Sequence, residues 1–296
     1  MVQRTLNSYL KSRYGKKIYK VSVNAGFTCP NRDGTLGDRG CIFCSAGGSG
    51  DFAEDAALSI TEQIELGKKR IESKLPNGDY GLIAYFQAFT NTYAPIEKLE
   101  KIYMEAAAHP EVEIISIATR PDCLGEEILN LLRRINEIKP VWVELGLQTI
   151  HEKSAEYIRR GYPLSTYDEA VRNLKASGIE TIVHVILGLP YETREEMLET
   201  VKYVGESGVQ GIKLQLLHVL ENTDLALDYR AGKFECMSLD EYASLVKDAL
   251  AVLPKDIVIH RMTGDGDKKI LIAPMWSADK KNVLNTLRRV CEIEDN

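Results

Sequence analysis

Residues 141–148 read VWVELGLQ, and this stretch decides the fold. Its β-branched, aromatic and leucine residues fit a strand. Glu144 and Gln148 stand an even number of residues apart, so both project from one face. Residues 210–219, QGIKLQLLHV, repeat the feature with Lys213 and Gln215. A parallel strand buried on both faces reads as a continuous apolar run. Polar residues at period two therefore require one face to line a polar cavity.

Five further runs of the same kind surround these two: IYKVSVNA (18–25), YGLIAYFQAF (80–89), VEIISIAT (112–119), ETIVHVILG (180–188) and DIVIHRMT (256–263). Between most of them lie amphipathic helical patterns, beginning near Thr61, Pro95, Thr166, Thr193 and Ser238. Leu124, Ile128, Leu131, Leu132 and Ile135 form a stripe that should face a sheet. Thr193 with Glu196 fits a capping box. Repeated β–α alternation predicts a parallel α/β sheet with right-handed crossovers, either doubly wound or a closed or partial barrel. No Gly-x-Gly-x-x-Gly turn follows the first strand, which with the polar strand faces favours the barrel. No repeat, low-complexity segment or linker divides the chain, so one domain over 1–296 is expected. Its active site should lie at the C-terminal strand ends.

The second strong signal is CPNRDGTLGDRGCIFC, residues 29–44. Eleven residues separate Cys29 from Cys41, and two separate Cys41 from Cys44. Asn31, Asp33, Gly34, Gly37 and Gly40 allow the loop to curl a third thiolate towards the C-x-x-C pair. A closed zinc site or an electron-transfer cluster normally takes four protein ligands. Three thiolates on a four-iron cluster leave one iron open to a cofactor or substrate. The rival is zinc with Cys123 as a distant fourth ligand; otherwise Cys123, Cys236 and Cys291 read as small hydrophobes.

Composition narrows the class. The 296 residues are 44% hydrophobic and 27% charged, as in globular proteins. No apolar run is long enough to span a membrane, and the N-terminus lacks an apolar signal core. A cytoplasmic location and no membrane partner are expected, and in that reducing setting six cysteines point to metal or chemistry. The net charge of −6 argues against nonspecific nucleic-acid binding through the whole surface. Local basic groups remain at Lys11–Lys20, Lys68–Arg70, Arg159–Arg160 and Arg288–Arg289, each of which also reads as a solvated charged face.

Together these residues resemble the radical S-adenosylmethionine (SAM) superfamily, in the branch akin to the Elongator catalytic subunit, where the first cysteine interval is widened. ATRPD (118–122), VELGLQT (143–149), RRGYPLSTYDEAV (159–171) and HVILGLPYET (184–193) match that branch in order. The cysteine stretch, YFQAFTNTYAP and HRMTGDG with LIAPMWSADK are similar to one bacterial subgroup connected with wobble-uridine modification of transfer RNA. The resemblance covers roughly Arg4 to Arg289. It implies a partial (β/α)6-type radical SAM barrel, core about 18–220, with a short N-terminal extension and a C-terminal one over about 221–296. It further implies a [4Fe–4S] cluster on Cys29, Cys41 and Cys44, SAM, and a cellular electron donor such as flavodoxin or ferredoxin. The implied reaction acts in the tRNA anticodon loop, where a carboxymethylaminomethyl group on uridine becomes aminomethyl. The same chemistry on a small metabolite is one alternative, and a noncatalytic zinc or electron-transfer protein is the other.

Site residues follow from that resemblance. Phe43, Ile186, Leu187 and His218 are expected beside adenine, although Phe43 also reads as core. The Phe86–Gln87–Ala88 strand end would meet the SAM amino group, in a segment that departs from the familiar Gly-Gly-Glu motif. Glu144 and Gln148 would meet the ribose, and Arg160 the SAM carboxylate; a buried salt bridge and an exposed charge are the respective alternatives. On the substrate side, His260 and Arg261 are expected to meet a phosphate or carboxylate, unless that segment is a strand and tight turn. Tyr93 is expected to stack on a base. His184, inside a strand, reads as a satisfied core histidine.

Overall fold

The computed structural model describes residues 4–48, 50, 53–75, 79–264 and 266–292. After helix α1 (Leu6–Tyr14), strands and helices alternate: β1 (Lys17–Val23), α2 (Ile60–Ile71), β2 (Tyr80–Phe86), α3 (Ile96–Ala108), β3 (Val112–Thr119), α4 (Glu126–Ile138) and β4 (Val141–Gln148). A short α5 (Glu152–Tyr157) precedes α6 (Leu164–Ala176), β5 (Glu180–Leu187), α7 (Arg194–Glu206) and β6 (Gly211–Leu216). The chain closes with β7 (Val219–Leu220), α8 (Asp224–Arg230), α9 (Leu239–Val252), β8 (Val258–Arg261), β9 (Leu271–Ala273) and α10 (Lys280–Cys291). Local chemistry sets several starts. Ser59 with Glu62, Thr193 with Glu196 and Ser238 with Glu241 form complete capping boxes at α2, α7 and α9. The apolar stripe of α4 buries Leu129, Leu131, Leu132 and Ile135, as its spacing predicts.

The sheet runs β1-β2-β3-β4-β5-β6-β8, and every pairing is parallel. Its curl is visible in contacts that a flat sheet forbids. The Lys213 Nζ on β6 lies 3.2 Å from the Tyr85 hydroxyl on β2, and the Lys20 Nζ on β1 lies 3.0 Å from Glu144 on β4. Four and three strand spacings of a flat sheet measure about 19 and about 14 Å. The sheet is thus a curled half-barrel with its polar side chains inward. Leu82, Ile115, Val143, Val183 and Leu214 point outward instead, into a core shared with Tyr103, Leu132, Tyr167, Val201 and Val246 of the helices.

Inside the curl, Ile83, Ile114, Trp142 and Ile182 form an apolar layer towards the strands' N-terminal ends, sealed by Leu10 of α1. The polar layer lies above it. The sheet extends beyond the expected core limit at residue 220. β8 pairs in parallel with β6, and Thr5 bridges to Ile259 on its outer edge. The segment after 220 therefore supplies a seventh strand. It also supplies α9, which packs against α7 and α10. Beyond β6, β7 pairs antiparallel with β9. Among the described residues, no helix is long and apolar enough to cross a membrane.

Candidate active site

The loop after β1 brings three thiols to one end of a solvent-open cavity of about 1000 Å³, lined by Cys29, Cys41 and Cys44. Its curl is held by its own backbone. Cys29 O accepts from Arg32 N at 2.8 Å, Gly40 N donates to Asn31 O at 2.7 Å, and Cys44 N donates to Cys41 O at 3.1 Å. Gly40 sits at φ +75°, and a Cβ there would lie 2.8 Å from the Arg32 guanidinium, so glycine is required. Arg32 reaches across to the Cys44 carbonyl at 3.1 Å. The loop is docked on the end of α5: Asn31 Nδ2 donates to Arg159 O at 2.7 Å, and Ile42 N donates to Ile158 O at 3.3 Å. A hydrogen bond from the Cys44 thiol, then Asn31, Arg120 and Arg32, pull Cys41 down to about 6 against its burial. Cys44, which keeps the shared proton, is pushed well above the usual thiol range. The loop thus presents a thiolate ready for a metal.

The floor is a carboxylate surrounded by donors. Glu144 is fully buried. Its Oε1 accepts from Lys20 at 3.0 Å and from Ser116 at 2.6 Å. Its Oε2 accepts from His184 Nε2 at 2.7 Å and from Lys213. Burial pushes Glu144 up, but Lys20, Lys213 and His184 overcome it and hold the group well below the usual carboxylate range. Tyr85 lies between the two lysines, with their ammonium groups 4.2 and 4.4 Å from its ring centroid. His184 Nδ1 accepts from the Gln215 amide at 2.9 Å, so the neutral ring with its proton on Nε2 satisfies both neighbours. Arg261 lines the cavity beside this cluster.

That arrangement makes stability acid-sensitive. Burial, then Lys213, depress His184 to about 4, against the pull of Glu144; Arg261 adds to the depression. An unfolded histidine titrates near 6.5, so between pH 6.5 and 4 the unfolded chain binds the extra proton and stability rises with pH. Burial and Lys20 depress His260 in the same sense. Between pH 7 and 5, the His184 share of the loss should be about 2 kcal/mol. Anaerobic urea denaturation at the two pH values checks this: His184→Gln should flatten the pH dependence by that amount, and an unchanged slope would refute it.

The cavity gathers Cys29, Cys41, Cys44, Phe43, Gln87, Glu144, Gln148, Arg160, Ile186 and Arg261 from the sequence expectations. Two of these have partners other than those expected. Arg160, 1% exposed, donates from Nε to Tyr162 O at 2.9 Å, from Nη1 to Thr149 O at 2.6 Å and from Nη2 to Glu152 at 3.1 Å. It ties the turns around α5 together instead of presenting a guanidinium to a ligand. Glu144 is the buried salt bridge, its oxygens taken by the floor and not left for a ribose. Gln148 sits at φ +66° beside a register shift in the β4–β5 pairing, which turns it at the cavity wall.

Other expected residues lie outside the cavity lining. Strand alternation turns Phe86 and Leu187 outward into the core; Phe86 meets Tyr103 edge-on at 5.0 Å. The Phe86 carbonyl accepts from Asn91 Nδ2 at 3.1 Å. Ala88 faces Gly50, where a Cβ would come within 2.5 Å of it. The His218 ring packs under Gly264 and Gly266. His260 meets Trp142 edge-on at 5.1 Å in the apolar layer, and the β6–β8 register shift pairs Arg261, not His260, with Lys213. Tyr93 lies in a different groove with Leu36 and Cys123, its hydroxyl 2.9 Å from that of Thr35. Cys123, pushed up to about 12 by burial and Asp122, lines that groove and not the cysteine site. The floor residues missed are Lys20, Tyr85 and Ser116, whereas Arg120 falls within the ATRPD stretch. Period-two polarity in β1, β2 and β3 was the signal that could have found those three.

Comparison with known proteins agrees with this geometry. The model of the radical SAM superfamily matches residues 29–204, and that of the radical SAM C-terminal domain matches residues 209–292. The chain belongs to the radical SAM superfamily. It is 46% identical over 288 residues to the protein YtqA of Bacillus subtilis (strain 168), covering 97% of this chain and 89% of that one. It is 27% identical over 180 residues to the tRNA uridine(34) acetyltransferase of Methanocaldococcus jannaschii, covering 60% of this chain and 32% of that one. In fold it is similar to the archaeal Methanocaldococcus infernus Elp3 with an N-terminal deletion, with a TM-score of 0.65 at 17% identity over 90% of this chain and 63% of that one.

As a radical SAM enzyme, the protein uses a [4Fe–4S] cluster and SAM. The residues present fit both. Three thiols converge at one end of the cavity, with no fourth cysteine among its lining residues. Phe43 and Ile186 offer apolar surface from the same small core, and Gln87, Gln148 and Gln215 offer amides. Arg32 and Arg120 lend positive charge near the thiols.

Proposed function

We propose that this enzyme acts on a modified uridine at the wobble position of a tRNA anticodon, removing the glycine-derived carboxymethyl part of a carboxymethylaminomethyl group to leave aminomethyluridine. The observation that carries the reading is the cavity's polarity: thiols at one end and, at the other, Arg261 beside a floor in which two lysines share one carboxylate. Such a floor favours an anionic group held deep in the cavity. The similarity to a tRNA uridine(34) acetyltransferase supports a uridine as its bearer.

When bound, the cluster and SAM would supply a 5′-deoxyadenosyl radical that takes a hydrogen atom from the methylene beside the carboxylate; loss of one further electron to a one-electron acceptor and addition of water to the resulting imine would release the two-carbon part as glyoxylate and leave the amine. The protein's part is to place the reacting carbon. Cys29, Cys41 and Cys44 hold the cluster, and Asn31 and Arg32 brace their loop. Phe43 and Ile186 receive the adenine, Gln87 the amino group and Gln148 the ribose. Arg32 and Arg120 offset the SAM carboxylate. Arg261 takes the substrate carboxylate, with Lys20 adding positive field, and so fixes the methylene next to it. Tyr85 walls the cavity against water. A wobble base suits this geometry because it lies in a single-stranded loop and can be splayed into a pocket. A small one-electron donor such as flavodoxin or ferredoxin supplies the electron.

Two measurements test the reading. In a strain that makes these nucleosides, deletion of the gene should accumulate carboxymethylaminomethyluridine and lose aminomethyluridine. Purified Arg261→Ala should keep wild-type iron content and SAM cleavage while its turnover of tRNA falls by about a hundredfold, the scale of one lost charge-assisted contact. Unchanged wobble nucleosides in the deletion strain would favour a small carboxylate metabolite instead.

A further inference from the structure

The turn after β5, at the strand ends where the cysteine loop also lies, holds an aromatic ring in an unusual position. Tyr191 follows Pro190 just beyond the end of β5 and is 60% exposed. An exposed aromatic side chain alone means little. Here the backbone is at φ +70°, the left-handed region that favours glycine and strains a bulky residue. The ring is also fixed. Tyr157 meets it edge-on at 5.4 Å and 77°, and the Tyr157 hydroxyl is itself anchored by donating to Asp228 at 2.9 Å. Tyr157 packs on the small core containing Ile42, Phe43 and Ile186, of which the last two line the cavity. Tyr157 thus ties the exposed ring to the small core that carries two cavity-lining residues.

The surroundings are positive. Arg159, also in the left-handed region at φ +59°, and Arg39 share the carboxylate of Asp224, while Asp228 on the Tyr157 hydroxyl is paired with Lys233 at 2.7 Å, so three cations face two carboxylates. The Arg159 and Arg39 side chains are 41% and 64% exposed. A solvent-facing ring braced by Tyr157, two residues before Arg159, suits an unpaired base whose phosphates lie towards the guanidinium groups. We infer that Tyr191 is a stacking platform at the mouth of the cavity for an unpaired base of single-stranded RNA, with Arg39 and Arg159 facing the adjoining phosphates. The inference rests on the tRNA reading above: one loop base enters the cavity and a neighbour stacks on Tyr191.

The test is binding of an anticodon stem-loop RNA to the reconstituted holoenzyme with SAM, followed by fluorescence anisotropy over a range of salt. Tyr191→Ala should bind about tenfold more weakly, while Tyr191→Phe and Tyr191→Trp stay within about threefold of wild type, because stacking needs only a π-face. Iron content, SAM cleavage and melting temperature should not move, which separates stacking from a structural role. The salt slope of Tyr191→Ala should equal that of wild type, whereas Arg159→Ala should lower it by about one. Wild-type binding with Tyr191→Ala within twofold of it would overturn the platform and leave the tRNA reading standing. No RNA binding by wild type would overturn both. Normal RNA binding by Tyr191→Ala, with turnover slowed only under a protein electron donor and not under dithionite, would assign the face to a protein partner and also overturn the inference.

Discussion

Replacing Cys29, Cys41 or Cys44 singly with alanine should remove the cluster, taking bound iron from about four per chain to near background and abolishing SAM cleavage. Cys123→Ala, Cys236→Ala and Cys291→Ala should each keep wild-type iron. The contrast follows from placement. The first three line one cavity end on a loop braced by Asn31 and Arg32. Cys123 sits on the turn after β3 with its thiol 3.9 Å from Asp122, lining the neighbouring groove. Cys236 belongs to the fringe of the small core and Cys291 to the end of α10. The measurement is iron and sulfide content after anaerobic reconstitution. Loss of iron in Cys123→Ala as complete as in Cys44→Ala would falsify a three-thiolate site and, with it, the open iron.

Glu144→Ala should destabilise the protein by about 3–5 kcal/mol, because it leaves Lys20 and Lys213 facing one another across the curl without their shared counter-charge. Lys213→Met alone should cost less, since Glu144 retains Lys20, Ser116 and His184. The double variant Glu144→Leu with Lys213→Met should recover much of the loss, as apolar replacement of a buried pair often does. Anaerobic denaturation of the four proteins gives the comparison. A Glu144→Ala protein within about 1 kcal/mol of wild type would mean that the floor is well hydrated and does not brace β1, β4 and β6 against one another. The pH dependence carried by His184 belongs to the same cluster, so the two experiments check one another.

Parts of the protein were open to a linear reading. The cysteine spacing announced a loop that gathers three thiols because its geometry is local: glycines at fixed positions and a C-x-x-C pair act over sixteen residues, whatever surrounds them. The alternation of apolar runs with amphipathic stretches placed β1 to β6 and their helices, since both periods follow from backbone geometry. Period-two polarity in β4 and β6 announced an inward polar face before any contact was known. By contrast, α1 buries little beyond Leu10, and its role as the plug under the barrel is not legible in its own pattern.

What the sequence by itself determined is therefore the alternating strands and helices of the barrel, the thiol loop and the existence of a polar interior. Only the tertiary structure decided which polar groups meet. The curl of seven strands brings Lys20 to Glu144 and Lys213 to Tyr85, residues far apart in sequence and on strands that a flat sheet would hold well beyond side-chain reach. The β6–β8 register shift pairs Arg261, not His260, with Lys213, and His260 meets Trp142. The turn after α5 gives Arg160 to backbone carbonyls and Glu152. The left-handed residue after Pro190 turns Tyr191 to solvent, where the sequence shows only another tyrosine. Sequence periodicity reports which face a residue takes, but pairing across a curved sheet depends on curvature and register, and those are properties of the whole assembly.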